Sequence, residues 1–376
     1  MTFYMKGTAY KYTNTINSSE ERVLIISATI SLQRLRLISR IWAKVVPYFL
    51  FDVVRLQTPG MARRLLEDWQ GSILSSADSP LRVLSMEHLV CHKPADSEVF
   101  VPESVRAFVS MPIDTGAKVI NTFGINITSL SLIFGNCMMV STDMIDAVKN
   151  IHCLTKLTLI RRYDWPRKLN SDSASIGDLL TVTPALESLS LSLPYLESHF
   201  LLPGSLPCLK HLWFKYHTSS REAITQISHT TKRTLRTIEY NSADPVEDAP
   251  SGILREARNS LECLCIDAIA INLPPSTWCF QTLRTIVTKY STGHDYWMDV
   301  LRLIPDGHFP RPNNFKHIVF TSCRGRNLLN DEMVCAFDKY DIQCHFMAEL
   351  EYDEILQLNS ELNGPMQAVP EDGLMT

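Results

Sequence analysis

A short apolar pattern, L-x-x-L-x-L or a close variant, returns along most of this chain. TLRTI occurs twice verbatim, at 234–238 and 282–286. Around it stand CLTKLTL (153–159), ALESLSL (185–191), CLKHLWF (208–214) and SLECLCI (260–266). Alternating apolar and polar residues is the period of a strand with one buried face. Taking the first apolar residue of each member, the series runs Phe51, Leu81, Val105, Ile127, Leu154, Leu186, Leu209, Leu235, Leu261, Leu283 and Phe315, at steps of 22 to 32 residues. Val105 and Leu283 begin degenerate members that end in Ser110 and Thr288.

The stretches between are helix-compatible: 59–70, 142–152, 220–232, 252–260 and 295–304, several opening with Ser, Thr or Asp where an N-cap falls. A strand and a helix in alternation at this interval fit parallel neighbours joined by crossovers. The strand pattern is the signature of a leucine-rich repeat. The expected fold is therefore α/β: an irregular leucine-rich-repeat solenoid, a curved parallel sheet with helices outside. The irregularity is expected because the Asn or Cys that follows the motif in tidy repeats appears only as Cys323. An ordinary α/β domain with coincidental leucines is the competing architecture. The boundaries read as a flexible N-terminus (1–19), a helical cap segment (20–48), the repeats (49–348) and an acidic tail (349–376). The tail carries no Lys, Arg or His and holds a short capping helix near 352–361.

In each motif the second and third apolar residues point into the core, so the residues between and just after them line the concave face. In the middle repeats these are small and serine-rich, as in Ser188, Ser190 and Ser192. The C-terminal half is more varied: His211, Trp213 and Lys215, then Thr237, Glu239 and Asn241, then Cys263, Cys265 and Asp267. Thr285, Val287 and Lys289, with His317, Val319 and Thr321, complete it. A partner site with an aromatic anchor and orienting charges is expected there, on His211, Trp213, Lys215, Glu239, Asp267 and Lys289. Trp213, between core-pointing Leu212 and Phe214, is its expected anchor; the competing role is a ring lying flat across neighbouring strands to stiffen them.

Composition sets the remaining bounds. With 45% hydrophobic and 20% charged residues the chain reads as folded, and a net charge of −4 gives no reason to expect nucleic acid or an anionic membrane as partner. The opening MTFYMKGTAYKYTNT has no continuous apolar stretch, so no secretory signal is expected, and no run is long enough for a transmembrane helix. The ten cysteines are scattered without a CxxC pair and read as free thiols of a reducing compartment, cytoplasm or nucleus. No phosphate-binding loop, nucleophile elbow or HExxH motif is present. No enzyme, cofactor or metal site is expected.

One segment before the repeats carries a further signal. SLQRLRLISRIWAKVVPYFLFDVVRL, residues 31–56, resembles the second half of an F-box running into a first repeat strand, as in fungal F-box/leucine-rich-repeat proteins. The resemblance rests on Leu32, Leu35, Leu37, Ile38, Ser39 and Trp42 and on the strand FDVVRL. The family's first half, a Leu-Pro followed by a Glu-rich apolar helix, would fall near 14–30; this chain has no proline there and only Val23, Leu24, Ile25 and Ile26 as apolar substitutes. The resemblance implies that Leu32, Leu35, Ile38 and Trp42 dock a Skp-type adaptor and through it a cullin, while the repeats hold an unknown protein substrate. The chain would then be a non-catalytic substrate receptor of an SCF-type ubiquitin ligase. Alternatives are a plain cap helix at 31–46 and a repeat scaffold with no ligase link.

Overall fold

The structure, a computed structural model, describes residues 51–70, 72–90, 110–135, 139–161, 173–197, 200–216, 220–242, 251–266, 280–289, 314–321, 331–347, 350 and 352–364. The chain divides into two compact units, Met1–Leu209 with His217–Thr230, and Lys210–Tyr216 with Thr231–Thr376.

The described strands of the first unit are β1 (Val53–Leu56), β2 (Val83–Val90), β3 (Met111–Pro112), β4 (Ser129–Phe134), β5 (Lys156–Arg161) and β6 (Ser188–Ser192). They alternate with α1 (Pro59–Trp69), α2 (Ile113–Phe123), α3 (Thr142–Lys149) and α4 (Ser173–Thr181); α5 (Arg221–Thr230) belongs to the same unit. The strands pair in parallel in the order β1, β2, β4, β5, β6, and β3 adds two residues to the end of β2. The second unit contains β7 (His211–Tyr216), β8 (Thr237–Ser242), β9 (Cys263–Ile266), β10 (Thr285–Lys289), β11 (His317–Thr321) and β12 (Gln343–Phe346), again parallel and in chain order. Its described helices are α6 (Ser251–Ala257), α7 (Asp331–Asp338) and α8 (Tyr352–Asn363). Each unit is thus a run of strand–helix steps, an α/β arrangement of solenoid-like kind.

The leucine pattern explains the core directly. Residues in register form ladders across the strands: Leu84, Leu130, Leu157 and Leu189 in the first unit, and Leu212, Ile238, Leu264, Ile286 and Ile318 in the second, all at most 1% exposed. These ladders face the helices. Phe320 of β11 meets Phe337 of α7 at a ring separation of 6.2 Å. Gly116 of α2 lets that helix approach so closely that an added Cβ would stand 3.1 Å from the Met86 sulfur. Fully burying a leucine or isoleucine side chain is worth about 1.5–3 kcal/mol, so the ladders supply most of the drive to stack.

A second regularity lies in the backbone. The Arg82 carbonyl accepts from the amides of both Thr128 and Ser129; the Thr128 carbonyl accepts from Thr155 and Lys156; the Thr155 carbonyl accepts from Glu187 and Ser188. In the second unit Lys210 receives Arg236 and Thr237, Arg236 receives Glu262 and Cys263, Glu262 receives Arg284 and Thr285, and Arg284 receives Lys316 and His317. One carbonyl per step takes two amides of the next, which makes the steps equivalent despite their unequal loops.

The helices expected near 59–70, 142–152, 220–232 and 252–260 form as α1, α3, α5 and α6. Thr58 caps α1 by accepting from the Met61 amide at 3.2 Å, with Pro59 at the first position, and Ser141 caps α3 by accepting from Met144 at 3.3 Å. The stretch 295–304 lies outside the described residues. One expected strand is corrected. β2 and β4 pair directly, Val83 with Ser129 through Met86 with Leu132, so no strand begun at Val105 stands between them. The single step from Leu81 to Ile127 is crossed by α2 instead.

Candidate strand-face site

Side chains on the face opposite the helices also fall into rows. In the first unit Arg55, Ser85, Ser131, Thr158 and Ser190 share one row, all half-buried, with Val83, Ser129, Lys156 and Ser188 beside it. Ser131, Thr158 and Ser190 make the small, hydroxyl-rich row the sequence led us to expect, while Ser188 and Ser192, expected beside Ser190, are buried. In the second unit one row reads His211, Thr237, Cys263, Thr285 and His317; the next reads Trp213, Glu239, Cys265, Val287, Val319 and His345.

The second unit departs from the expectation of an open concave face. Helix α8 lies over its later strands: Leu350, Ile355 and Leu358 pack with Cys263, Cys265, Val287 and Val319 into one buried cluster, flanked by Met347 and Leu362. Cys263, Cys265, Val287 and Val319, expected on the open face, are therefore under the chain's own helix. The physical reason is plain in the residue types. Cys263 with Leu264, Cys265 with Ile266, and Val287 with Ile286 make these strands apolar on both faces, and such a strand is stable only when covered on both.

The end of α8 is held by polar contacts. Asn363 Nδ2 donates to Thr285 Oγ1 at 2.9 Å, and Arg284 Nη1 donates to the Asn363 carbonyl at 3.3 Å. His317 forms a hydrogen bond with the Leu362 backbone, and its Nδ1 stands 3.2 Å from His345 Nε2. Burial first, then the neighbouring His345 and Lys316, lower the His317 pKa; burial lowers that of His345. Both rings therefore favour the neutral form, in which one nitrogen donates to the other. Helix α8 stops where Gly364 takes φ +76°, the left-handed conformation usual after a helix end.

What α8 leaves on this face is the β7–β8 strip. Trp213 stands opposite Glu239, both partly exposed, and Lys215 stands opposite Asn241. Between Leu212 and Phe214, both 0% exposed, Trp213 is turned away from the helices by strand alternation. His211 is a correction: expected on the open face, it is 0% exposed, with Nε2 at 3.7 Å from Glu239 Oε2. Lys289 is exposed at the end of β10, roughly 14 Å from Lys215 across three strand spacings of about 4.8 Å. Asp267, and the adaptor-facing Leu32, Leu35, Ile38 and Trp42, lie outside the described residues. The structure thus brings Trp213, Lys215 and Glu239 together with His211 beneath them, and sets Lys289 apart.

Sequence reasoning missed Arg284, His317 and His345 as a group holding a helix end. The available signal was the apolar character of Cys263, Cys265, Val287 and Val319 at positions assigned to solvent. Among the described residues no group of three or more His, Cys, Asp or Glu is placed to hold a metal ion, and no helix is long and apolar enough to cross a membrane. No family model matches the chain, and no curated protein matches it.

Proposed function

We propose that this chain is a non-catalytic substrate receptor of an SCF-type ubiquitin ligase, a leucine-rich-repeat protein that presents a protein substrate on its strand face. The observation that carries the receptor reading is the β7–β8 strip. Trp213 offers a flat apolar contact, while Lys215 and Glu239 beside it carry opposite charges on two strands paired in parallel. A rigid strand face with one partly exposed indole and a charged rim suits protein recognition, where Trp is the side chain most enriched among hot spots. The link to a ligase rests on the F-box-like residues Leu32, Leu35, Ile38 and Trp42. In this reading catalysis is by proximity: the receptor holds a substrate lysine near a charged conjugating enzyme, and no side chain of this chain touches the reacting atoms.

The test is affinity purification of the full chain from cells, probed for the Skp-type adaptor and cullin, beside a Leu35→Ala/Trp42→Ala variant. Adaptor recovered with the wild type and lost with the variant supports the receptor. Equal recovery makes 31–46 a plain cap, and no recovery from either leaves a repeat scaffold without a ligase.

A further inference from the structure

Two observations set apart the Cys263, Cys265, Val287 and Val319 floor and the polar group at its end. Where α8 lies the row reads Cys265, Val287 and Val319, whereas the corresponding row of the first unit reads Ser85, Ser131, Thr158 and Ser190. Onto it α8 sets Ile355, Leu358 and Leu362, spaced i, i+3 and i+7, which is one face of a helix.

The polar contacts are of a general kind. A helix leaves its last carbonyls without partners, and its C-terminus carries partial negative charge. Here the strands supply the donors: Arg284 to the carbonyl of Asn363, and His317 to the backbone at Leu362. Helix α8 has no basic residue in its own last turn, so the strand face performs that role for it. Of these three contacts, Asn363 to Thr285 depends on a side chain of the helix. A main-chain clasp over a flat floor of small side chains selects spacing and an ending rather than a particular sequence.

We propose that this floor is a helix-binding surface which α8 fills as an internal ligand, and that the partner it takes in exchange is a short acidic amphipathic helix. That helix would have apolar residues at i, i+3 and i+7 and would end at Arg284 and His317 without basic residues of its own. The inference rests on the reading that the strand face binds proteins, and it names the chemistry of one such partner. Because α8 follows β12 within a few residues, its effective concentration at the floor is of order mM, so an external helix competes only when α8 is weakened or its own affinity is high.

The test uses the full chain and, as probe, a fluorescein-labelled peptide of residues 350–364. With Ile355→Glu/Leu358→Glu in the chain to release α8, the peptide is expected to bind saturably by fluorescence anisotropy, at least tenfold more tightly than to the wild type. A peptide carrying the same two substitutions is expected not to bind. A folded variant that ignores the peptide overturns the proposal. A second measurement needs no variant: alkylation of Cys263 and Cys265 in the wild type, read by mass spectrometry across low urea. Opening of α8 alone predicts a urea slope well below that of global unfolding. A slope equal to global unfolding makes α8 a fixed part of the core and rejects the proposal. Neither arm involves the adaptor, so failure here is separable from failure of the receptor assignment.

Discussion

Asn363 and Thr285, separated by 78 positions in the chain, meet through a 2.9 Å side-chain hydrogen bond. The same Asn363 amide also reaches the carbonyl and the side-chain oxygen of Asn359, each at 3.0 Å, so one side chain joins the last turn of α8 to strand β10. Asn363→Ala is expected to lower stability by about 1 kcal/mol, the usual net worth of such a bond. Leu358→Ala, which empties part of the floor, is expected to cost about 2–4 kcal/mol. Urea unfolding monitored by circular dichroism measures both, and a Leu358 variant as stable as wild type would show that the floor contributes little.

Trp213→Ala separates an anchor from a stiffener. As an anchor it is expected to weaken partner binding by about 2 kcal/mol or more, with the melting temperature nearly unchanged. Loss of several degrees in melting temperature with binding intact assigns the ring to packing across β7 and β8.

The His317–His345 pair makes stability fall in mild acid. Both pKa values lie below the ordinary 6.5, so between pH 6.5 and the lowered values the unfolded chain binds more protons than the folded one. The contribution is full above pH 6.5 and is lost as pH falls through the folded values. The urea midpoint of the wild type is expected to drop between pH 7.5 and 5.5, and that of His345→Gln to drop less. At the alkaline end the Cys344 thiol, pushed up to about 12 by burial and then by Asp338, holds its proton. Its contribution is lost as pH rises above 9.0.

Arg161 stands in a core row. It closes β5 in register with Phe134, is 6% exposed, and its Nε and Nη2 have no hydrogen-bond partner among the described residues. Buried guanidinium nitrogens left without partners are costly, and apolar replacement of buried ion pairs has stabilised other proteins by about 1–4 kcal/mol. Arg161→Leu is expected to raise the melting temperature. A fall would show that the guanidinium has a favourable role there.

Gly177 of α4 admits no larger residue, because a Cβ at that position would overlap the Phe200 carbonyl. Since backbone is less able to yield than a side-chain tip, Gly177→Ala is expected to destabilise by more than the roughly 1 kcal/mol that Ala ordinarily gains over Gly inside a helix. Differential scanning calorimetry reads the sign directly.

Most strands were legible in the sequence because leucine spacing and alternation are both local, whereas β3 and β12 belong to no member of the leucine series. Leu157 and Leu159, or Leu212 and Phe214, announce their own burial. The helices α2 and α4 were not, since IDTGAKVINTF follows Pro112 without a side-chain cap and SASIGDLLT is rich in Ser, Gly and Thr, residues that do not favour a helix by themselves. The seat of α8 was hidden for a different reason. Its helical period was readable near 352–361, but which surface it covers is a long-range fact. Only the unexplained apolar residues Cys263, Cys265, Val287 and Val319 pointed to it. His211, expected on an open face, is enclosed for a reason its strand alternation does not reveal.

The shared carbonyls at Lys210, Arg236, Glu262 and Arg284 have a consequence for how such a chain changes over generations. Since each occupies the same place in its step, removing Thr237–Glu262 would bring the amide of Cys263 to the Lys210 carbonyl in place of Thr237, and every neighbouring backbone group would still find a mate. Adding a copy of that segment would do the same. A single residue inserted inside β8, by contrast, would turn Ile238 and Tyr240 to the wrong side. Length in this architecture can drift by whole modules while the reading frame of each strand stays fixed.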